Sequence, residues 1–375
     1  MDERQVSLTE AAPPLPQGGR GSGVRVGTVD AGTVPQVDPH PRPLPPAGEG
    51  VEAIGVERSL WHPVLAADQL VDQPAPVRLL SQDLVLWRDG AGVARVLTDR
   101  CPHRGTRLSL GRVVDGRIEC PYHGWQFEGG GHCRLVPADP GFVPPDGHAA
   151  TAHEACESQG LVWVRLAPGT AVVPPFEADD DPHLRKVLCG PYTVAASAPR
   201  IVENFLDMAH FGFVHEGWLG DRAHAALEGY QIEPTPLGFA ATGCRAWQPK
   251  SNRLSDGGSW VDYRYELTGP YGARLIKLPQ AQDGYRDVIG LYVCPVDPVR
   301  STVWFRLAVT DFASSDAELR AFQHTIFTQD QPILESQQPP TLPVHAGGEV
   351  HHAADRASAA YRRWLREHHI TFGTC

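Results

Sequence analysis

Cys101-Pro-His103, sixteen residues that begin Arg104-Gly105, then Cys120-Pro-Tyr-His123-Gly124-Trp125: this C-x-H…C-x-x-H stretch decides the reading of the chain. Two thiols and two imidazoles come from two short loops, one Cys and one His from each. A [2Fe–2S] cluster with two Cys on one iron and two His on the other needs this ligand supply. Pro102 and Pro121 stiffen the loops, while Gly105 and Gly124 let the backbone approach the sulfides closely. The competing reading is a Cys2His2 zinc site, which takes the same ligand types. Zinc knuckles usually pair like with like, and here each knuckle is mixed, which favours the iron–sulfur cluster.

The rest of the composition sets bounds. With 375 residues the chain is long enough for about two domains. A net charge of −11 argues against nucleic acid as a partner. Of eight Cys, two belong to the motif and the others (Cys133, Cys156, Cys189, Cys244, Cys294, Cys375) are scattered, so no disulfide framework is expected and a reducing, cytoplasmic compartment fits. No apolar region follows the first Met-Asp-Glu-Arg, and no run reaches eighteen apolar residues, so neither a secretory signal nor a membrane span is expected.

Residues 1–56, rich in Pro and Gly, read as a disordered tail. From 57 to 167 the chain alternates short β-rich runs (Val77–Leu80, Leu84–Trp87, Val93–Thr98, Leu161–Leu166) with turn signals such as Asp89-Gly90 and Asp115-Gly116, a small antiparallel β domain carrying the cluster loops. Residues 168–188, with Pro174-Pro175 and the solvated run Asp179–Asp181, form a linker. A second domain covers 189–370, with strands expected over Tyr192–Ala196, Tyr230–Glu233, Trp260–Leu267, Asp287–Val293 and Thr302–Thr310.

The second centre is Glu203-Asn204-Phe-Leu-Asp207-Met-Ala-His210-Phe-Gly212-Phe-Val-His215. Asn204, Asp207 and His210 fall three apart on one helix face. His215, five further on, would sit about 140° away on a regular helix, so both imidazoles reach one metal only if the helix bulges or ends between them, which Gly212 permits. A mononuclear iron site needs a carboxylate beside two His. The best candidate is Asp330, on a helix expected over Asp316–Gln338 with Ser315 as N-cap and Pro332 as a kink; Glu335 and Asp311 compete. Asp207, three residues before His210, is placed to hold the ring N–H of that ligand. Phe205, Phe213, Leu278 and Tyr292 could line a pocket, although a core role suits each.

The two motifs, with Gln329-Asp330-Gln-Pro-Ile-Leu-Glu335-Ser-Gln-Gln338 and the tail Glu349-Val-His-His…Tyr361-Arg-Arg-Trp364, resemble the terminal oxygenase α-subunits of Rieske non-heme iron oxygenases, in the vanillate O-demethylase-like branch, over about residues 57–368. The absence of further Cys beside His103 and His123 separates the loops from respiratory Rieske proteins, which carry a disulfide there. The resemblance implies an α+β fold, a small antiparallel β Rieske domain plus a helix-grip catalytic domain. It implies a cluster on Cys101, His103, Cys120 and His123, Fe(II) on His210, His215 and Asp330, and catalytic roles for Asp207 and Asn204. It also implies a separate reductase or ferredoxin, O2 and a small organic ring substrate, and a homotrimer in which Asp207 links His210 to His123 of the next subunit. No flavin or nicotinamide motif accompanies these sites. The alternative is a Rieske electron-transfer protein with a non-catalytic second domain. Six arginines from Arg95 to Arg117, against two acids, make a basic island around the cluster loops that suits an acidic electron donor.

Overall fold

The first ten strands build the cluster-bearing domain as two sheets. The computed structural model describes residues 55–255, 257–280, 284–345 and 347–375, so the tail expected over 1–56 lies almost wholly outside the described residues. The strands are β1 (His62–Ala66), β2 (Ala75–Leu79), β3 (Gln82–Arg88), β4 (Ala94–Thr98), β5 (Arg112–Val114), β6 (Arg117–Glu119), β7 (Gln126–Phe127), β8 (Cys133–Leu135), β9 (Ala152–Ser158) and β10 (Leu161–Arg165). A six-stranded sheet runs β1-β10-β9-β4-β3-β2, and a four-stranded sheet runs β5-β6-β7-β8. Asp115, at φ 49°, and Gly116, at φ 73°, turn the β5–β6 hairpin between the two motif loops.

The second domain starts with β11 (Arg185–Val194), followed by helices α1 (Ala198–Leu206) and α2 (Phe211–Val214). Then come β12 (Gln231–Thr235), β13 (Gly238–Gln248), β14 (Ser259–Gly269), β15 (Gly272–Pro279), β16 (Asp287–Asp297), β17 (Arg300–Val309), α3 (Asp316–Ser336) and α4 (Arg356–Glu367). They form one antiparallel seven-stranded sheet, β11-β17-β16-β15-β14-β13-β12, with α1 and α3 on one face, as the α+β, helix-grip expectation required. Among the described residues no helix is long and apolar enough to cross a membrane.

This sheet is buried on both sides, and strand alternation explains how. Along β16 and β17, Leu291, Val293, Val303 and Phe305 enter the core under the helices, while Tyr292, Cys294 and Trp304 enter a core shared with the six-stranded sheet. Trp163 of β10 meets Tyr292 edge-to-face at 5.3 Å, and the amides of Leu80 and Ser81 donate to the carbonyls of Pro295 and Val296. Buried Glu57 accepts from the amides of Thr371 and Phe372, tying the start of the first domain to the end of the chain.

Three expectations need correction. Strand β11 begins at Arg185, inside the segment read as linker, because Val187 and Cys189 are buried in the sheet core. The acidic run is not simply solvated: Asp179 pairs with Arg306 at 2.9 Å and Asp181 with Arg286 at 2.5 Å, holding that segment on the sheet. Strands β13 and β15 were not anticipated.

Candidate active site and cluster loops

The two cluster loops have the same backbone. Cys101 N–H donates to Thr106 O and Gly105 N–H to Cys101 O, at 2.8 Å each. Cys120 N–H donates to Trp125 O at 2.8 Å and Gly124 N–H to Cys120 O at 3.0 Å. Gly105 (φ 73°) and Gly124 (φ 70°) turn back in the left-handed region, where a side chain would be strained. Cys101 and Cys120 are buried, His103 is half-buried and His123 is exposed. The two imidazole rings lie 4.5 Å apart, and Trp125 stacks on His103 at 4.4 Å with an interplanar angle of 4°.

These residues fit a Rieske cluster. The Nδ1 atom of His103 is buried with no hydrogen-bond partner, as a nitrogen reserved for a metal would be. Burial and the adjacent Cys120 thiol push the Cys101 thiol up to about 11, against the pull of backbone amides, so a cation is needed to hold it as thiolate.

The second centre begins where α1 ends. The helix N-cap is Ser197, whose hydroxyl accepts from Arg200 N–H, and Pro199 sits in the first turn. Arg362 of α4 clamps Glu203 with two bonds, at 2.6 and 2.7 Å, which fixes α1 against α4. The chain leaves helical geometry at Asp207 (φ −91°, ψ 144°), not near Gly212. Asn204, Asp207 and His210 therefore do not share one helix face. Instead, His210 and His215 bracket the single turn α2, and His215 leaves it at φ −109°, ψ 30°, which swings the second imidazole back toward the first. The Asp207 carboxylate causes the break: it accepts from the amides of Ala209 and His210, a local side-chain cap that competes with the helix.

The structure brings His210, His215 and Asp330 together. His210 Nε2 and His215 Nε2 are 3.2 Å apart, and Asp330 Oδ1 lies 3.5 Å from the first and 3.2 Å from the second. Ligand atoms ~2.1 Å from one metal and about 90° apart sit roughly 3 Å from each other, so this triangle fits one face of a metal site. The other ring nitrogens are already committed: His210 Nδ1 donates to Asp207 Oδ2 at 2.8 Å, and His215 Nδ1 donates to Gln329 Oε1 at 2.7 Å. Both bonds select the tautomer that leaves Nε2 bare. Burial pushes the Asp207 carboxyl up, but the His210 ring and the two amides outweigh it and hold the group below its ordinary value. Asn204 Nδ2 donates to Asp330 Oδ1 at 3.3 Å.

Asp330 is buried on α3, whose N-terminus closes with a capping box between Ser315 and Glu318 and which ends at Ser336 rather than Gln338. The competing carboxylates are elsewhere. Glu335 is exposed and accepts from Ala195 N–H and Gln331, while Asp311 caps the turn before α3 through Ala313 and Ser314. Gln329 was not foreseen. Its only signal was adjacency to Asp330.

The triad opens onto a pocket with about 720 Å³ of empty space, part of it reaching solvent. Its walls are mostly apolar, with Phe205, Leu291, Phe305 and Phe327 prominent. Of the suggested lining residues only Phe205 is there: Phe213 is 53% exposed, Leu278 is at the surface, and Tyr292 faces the other core.

Comparison with known proteins identifies the two domains that carry these residues. Residues 60–146 match the Rieske [2Fe-2S] domain and residues 194–369 the vanillate O-demethylase oxygenase C-terminal domain. The methylxanthine N1-demethylase NdmA of Pseudomonas putida is 33% identical over 318 residues, covering 83% of this chain and 88% of that protein. The methylxanthine N3-demethylase NdmB of the same organism is 32% identical over 330 residues, covering 83% and 89%. The solved structure of P. putida NdmA with caffeine superposes with a TM-score of 0.74 at 32% identity, covering 83% of this chain and 90% of that one.

Proposed function

Because the chain belongs to the Rieske non-heme iron oxygenases, with a Rieske domain and a vanillate O-demethylase-type oxygenase domain, we propose that it oxidatively removes a methyl group from a ring-containing small molecule, with an N-methylated heteroaromatic as the first class to test. The observation that carries this reading is the three-atom face of His210, His215 and Asp330 opening onto a mostly apolar pocket. Iron held by these three residues would supply O2 activation, and a cluster on Cys101, His103, Cys120 and His123 would supply single electrons.

The chain's own residues do the positioning. Asp207 and Gln329 keep the two imidazoles turned with Nε2 toward the metal, and Asn204 steadies the Asp330 carboxylate. The apolar walls hold the methyl group beside the triad and keep water away. The net reaction is monooxygenation: the N-methyl carbon gains one oxygen from O2, the other oxygen leaves as water with two electrons and two protons, and the hydroxymethyl product breaks its C–N bond to release formaldehyde.

The electrons come from a separate reductase or ferredoxin. Of the six arginines near the loops, Arg95, Arg107 and Arg112 pair with Asp89, Asp83 and Glu119. Among the described residues Arg100, Arg104 and Arg117 have no ion pair, and they remain as the docking charge for an acidic donor. The working assembly is a cytoplasmic homotrimer whose subunits meet head to tail, His123 of one approaching Asp207 of the next. Exposed His123, and exposed Leu110 and Tyr122 beside it, suit a covered face of this kind.

The test is a panel of N-methylated heteroaromatics and methoxyaromatics, supplied with reductase and NADH, scored for formaldehyde against O2 consumed. One formaldehyde per O2 with one ring class is expected. Oxygen uptake without formaldehyde from any member would refute demethylation.

A further inference from the structure

Of the four cluster ligands, only the imidazoles approach the surface. Cys101 and Cys120 are 1% and 2% exposed, whereas His123 is exposed and His103 half-buried. An electron entering or leaving the cluster therefore has its shortest paths through the two rings. Tyr122 lies against His123 with ring centroids 3.8 Å apart, and in the proposed trimer this side belongs to the neighbouring subunit. The His103 side is left for entry.

That side leads outward through a run of aromatic rings. Trp125 stacks on His103 and in turn stacks with His148, at 5.4 Å and 17° between planes. Phe142 meets His148 at 5.5 Å. Among the described residues no hydrogen bond holds the His148 ring, and its Nδ1 is buried without a partner, so ring packing fixes it. The run ends on a loop whose tip, Pro140-Gly-Phe142-Val143-Pro-Pro145, carries no charge and lies between Asp139 and Asp146. Phe142 is 39% exposed and Val143 85%. Phe142 N–H donates to Asp139 O at 3.0 Å and His148 N–H to Pro145 O at 2.9 Å, which with three prolines holds the tip out in water. At its root Pro137 packs on the second cluster loop, where a Cβ at Gly124 would meet it at 3.0 Å. Arg100 and Arg104, both exposed and without an ion pair among the described residues, flank the His103 loop.

We propose that the Phe142–Val143 tip is the docking contact for the electron donor, an acidic [2Fe–2S] protein or reductase domain, and that electrons enter through Phe142, His148 and Trp125 to His103. The step is one electron: the donor's reduced centre is oxidised and the Rieske cluster reduced, with no bond made or broken. This rests on the oxygenase reading and its separate reductase, and it assigns entry and exit to different imidazoles. Arg100 and Arg104 steer the donor, and the apolar tip supplies the contact. A small apolar patch with charge beside it suits the brief encounters of redox partners.

The test uses the iron-loaded protein and an NADH-dependent reductase whose [2Fe–2S] domain reduces the wild-type cluster. Three quantities are measured: equilibrium binding of oxidised reductase, anaerobic reduction of the cluster by reductase or by dithionite, and single-turnover oxidation of the pre-reduced cluster. Val143→Asp should weaken reductase binding about ten-fold, because it places a charge at an apolar contact. Its dithionite reduction, single turnover and sedimentation should match wild type. His148→Ala should bind reductase as wild type does and accept electrons several-fold more slowly at saturating reductase, at an unchanged Rieske potential. Tyr122→Ala should leave reductase binding intact and slow single turnover. Unchanged reductase binding in Val143→Asp would overturn the docking contact, and unchanged saturated reduction in His148→Ala would overturn the route. Val143→Asp subunits that no longer assemble would make the tip a subunit contact instead. Equal loss of reductase binding in Tyr122→Ala and Val143→Asp would overturn the separation of entry from exit. None of these readouts depends on formaldehyde, so the demethylation reading stands or falls apart from them.

Discussion

The cluster loops and the triad solve the same problem, holding two imidazoles and two or fewer anionic ligands toward one point, by different means. In the loops the backbone does it. Each Cys is fixed by a matched pair of main-chain bonds and a glycine in the left-handed region, and the ligands fall within 23 residues of one another. At the triad side chains do it. The ligands come from a one-turn helix and from α3, 115 residues beyond His215, and are aimed by Asp207, Gln329 and Asn204. The lesson is a difference in tolerance. Apart from its four ligands, the cluster site should be nearly indifferent to neighbouring side chains, whereas the triad should respond in degrees to residues that touch no metal.

The largest effects test the first half of that contrast. Cys101→Ser and Cys120→Ser are each expected to abolish the electron paramagnetic resonance signal of the reduced cluster and all turnover. Thr106→Val, which leaves the carbonyl that Cys101 N–H uses, should keep both. A full signal in Cys101→Ser would remove that residue from the ligand set.

The triad's dependence on its supports comes next. Gln329→Leu should weaken iron retention by about 10–100-fold at an unchanged Rieske spectrum. On the proposed head-to-tail assembly, Asp207→Asn, which still offers an oxygen to His210 Nδ1, should keep both metal sites and lose most turnover, because the proposed bridge from His123 of the neighbouring subunit to His210 would be broken. Single-turnover oxidation of the pre-reduced cluster decides this: an Asp207→Asn protein that oxidises as fast as wild type and forms product contradicts the bridge.

Smaller effects concern the surfaces and the seam. Reduction by the natural donor should slow several-fold as ionic strength rises from about 0.05 to 0.5 M if Arg100, Arg104 and Arg117 steer docking. A rate flat across salt would leave those arginines without that role. At the seam between the domains, His62 is buried and bonded to Glu57 O, and burial lowers its pKa from 6.5 to about 4. The unfolded chain therefore takes up a proton between pH 6.5 and 4 that the folded chain refuses. The contribution is fully present above pH 6.5 and is lost as pH falls, by roughly 3 kcal/mol at most. His62→Gln should flatten the fall in melting temperature between pH 7 and 5, and parallel curves for the two proteins would acquit His62.

The same contrast explains what could be read in advance. The cluster loops were legible because their ligands, prolines and glycines are local. The α+β plan followed from strand runs and from resemblance. Three features were not legible. The break at Asp207 is a side-chain cap on amides two and three residues on, which competes with an apolar helix pattern running through Phe205–Phe211. Strand β15 carries Lys277 at an inward position, so a buried charge interrupts the alternation that marks a strand. Gln329 depends on a contact across 114 residues, which no local pattern announces.

The claim that a second metal site works beside the cluster is tested most directly by counting iron in the purified chain while recording its Rieske signal. Wild type should hold three irons per chain. His210→Ala and Asp330→Ala should hold two with the Rieske signal intact, and Glu335→Ala should hold three. Two irons in wild type with a full Rieske signal would make the chain an electron carrier, and loss of the third iron from Glu335→Ala but not from Asp330→Ala would overturn the triad.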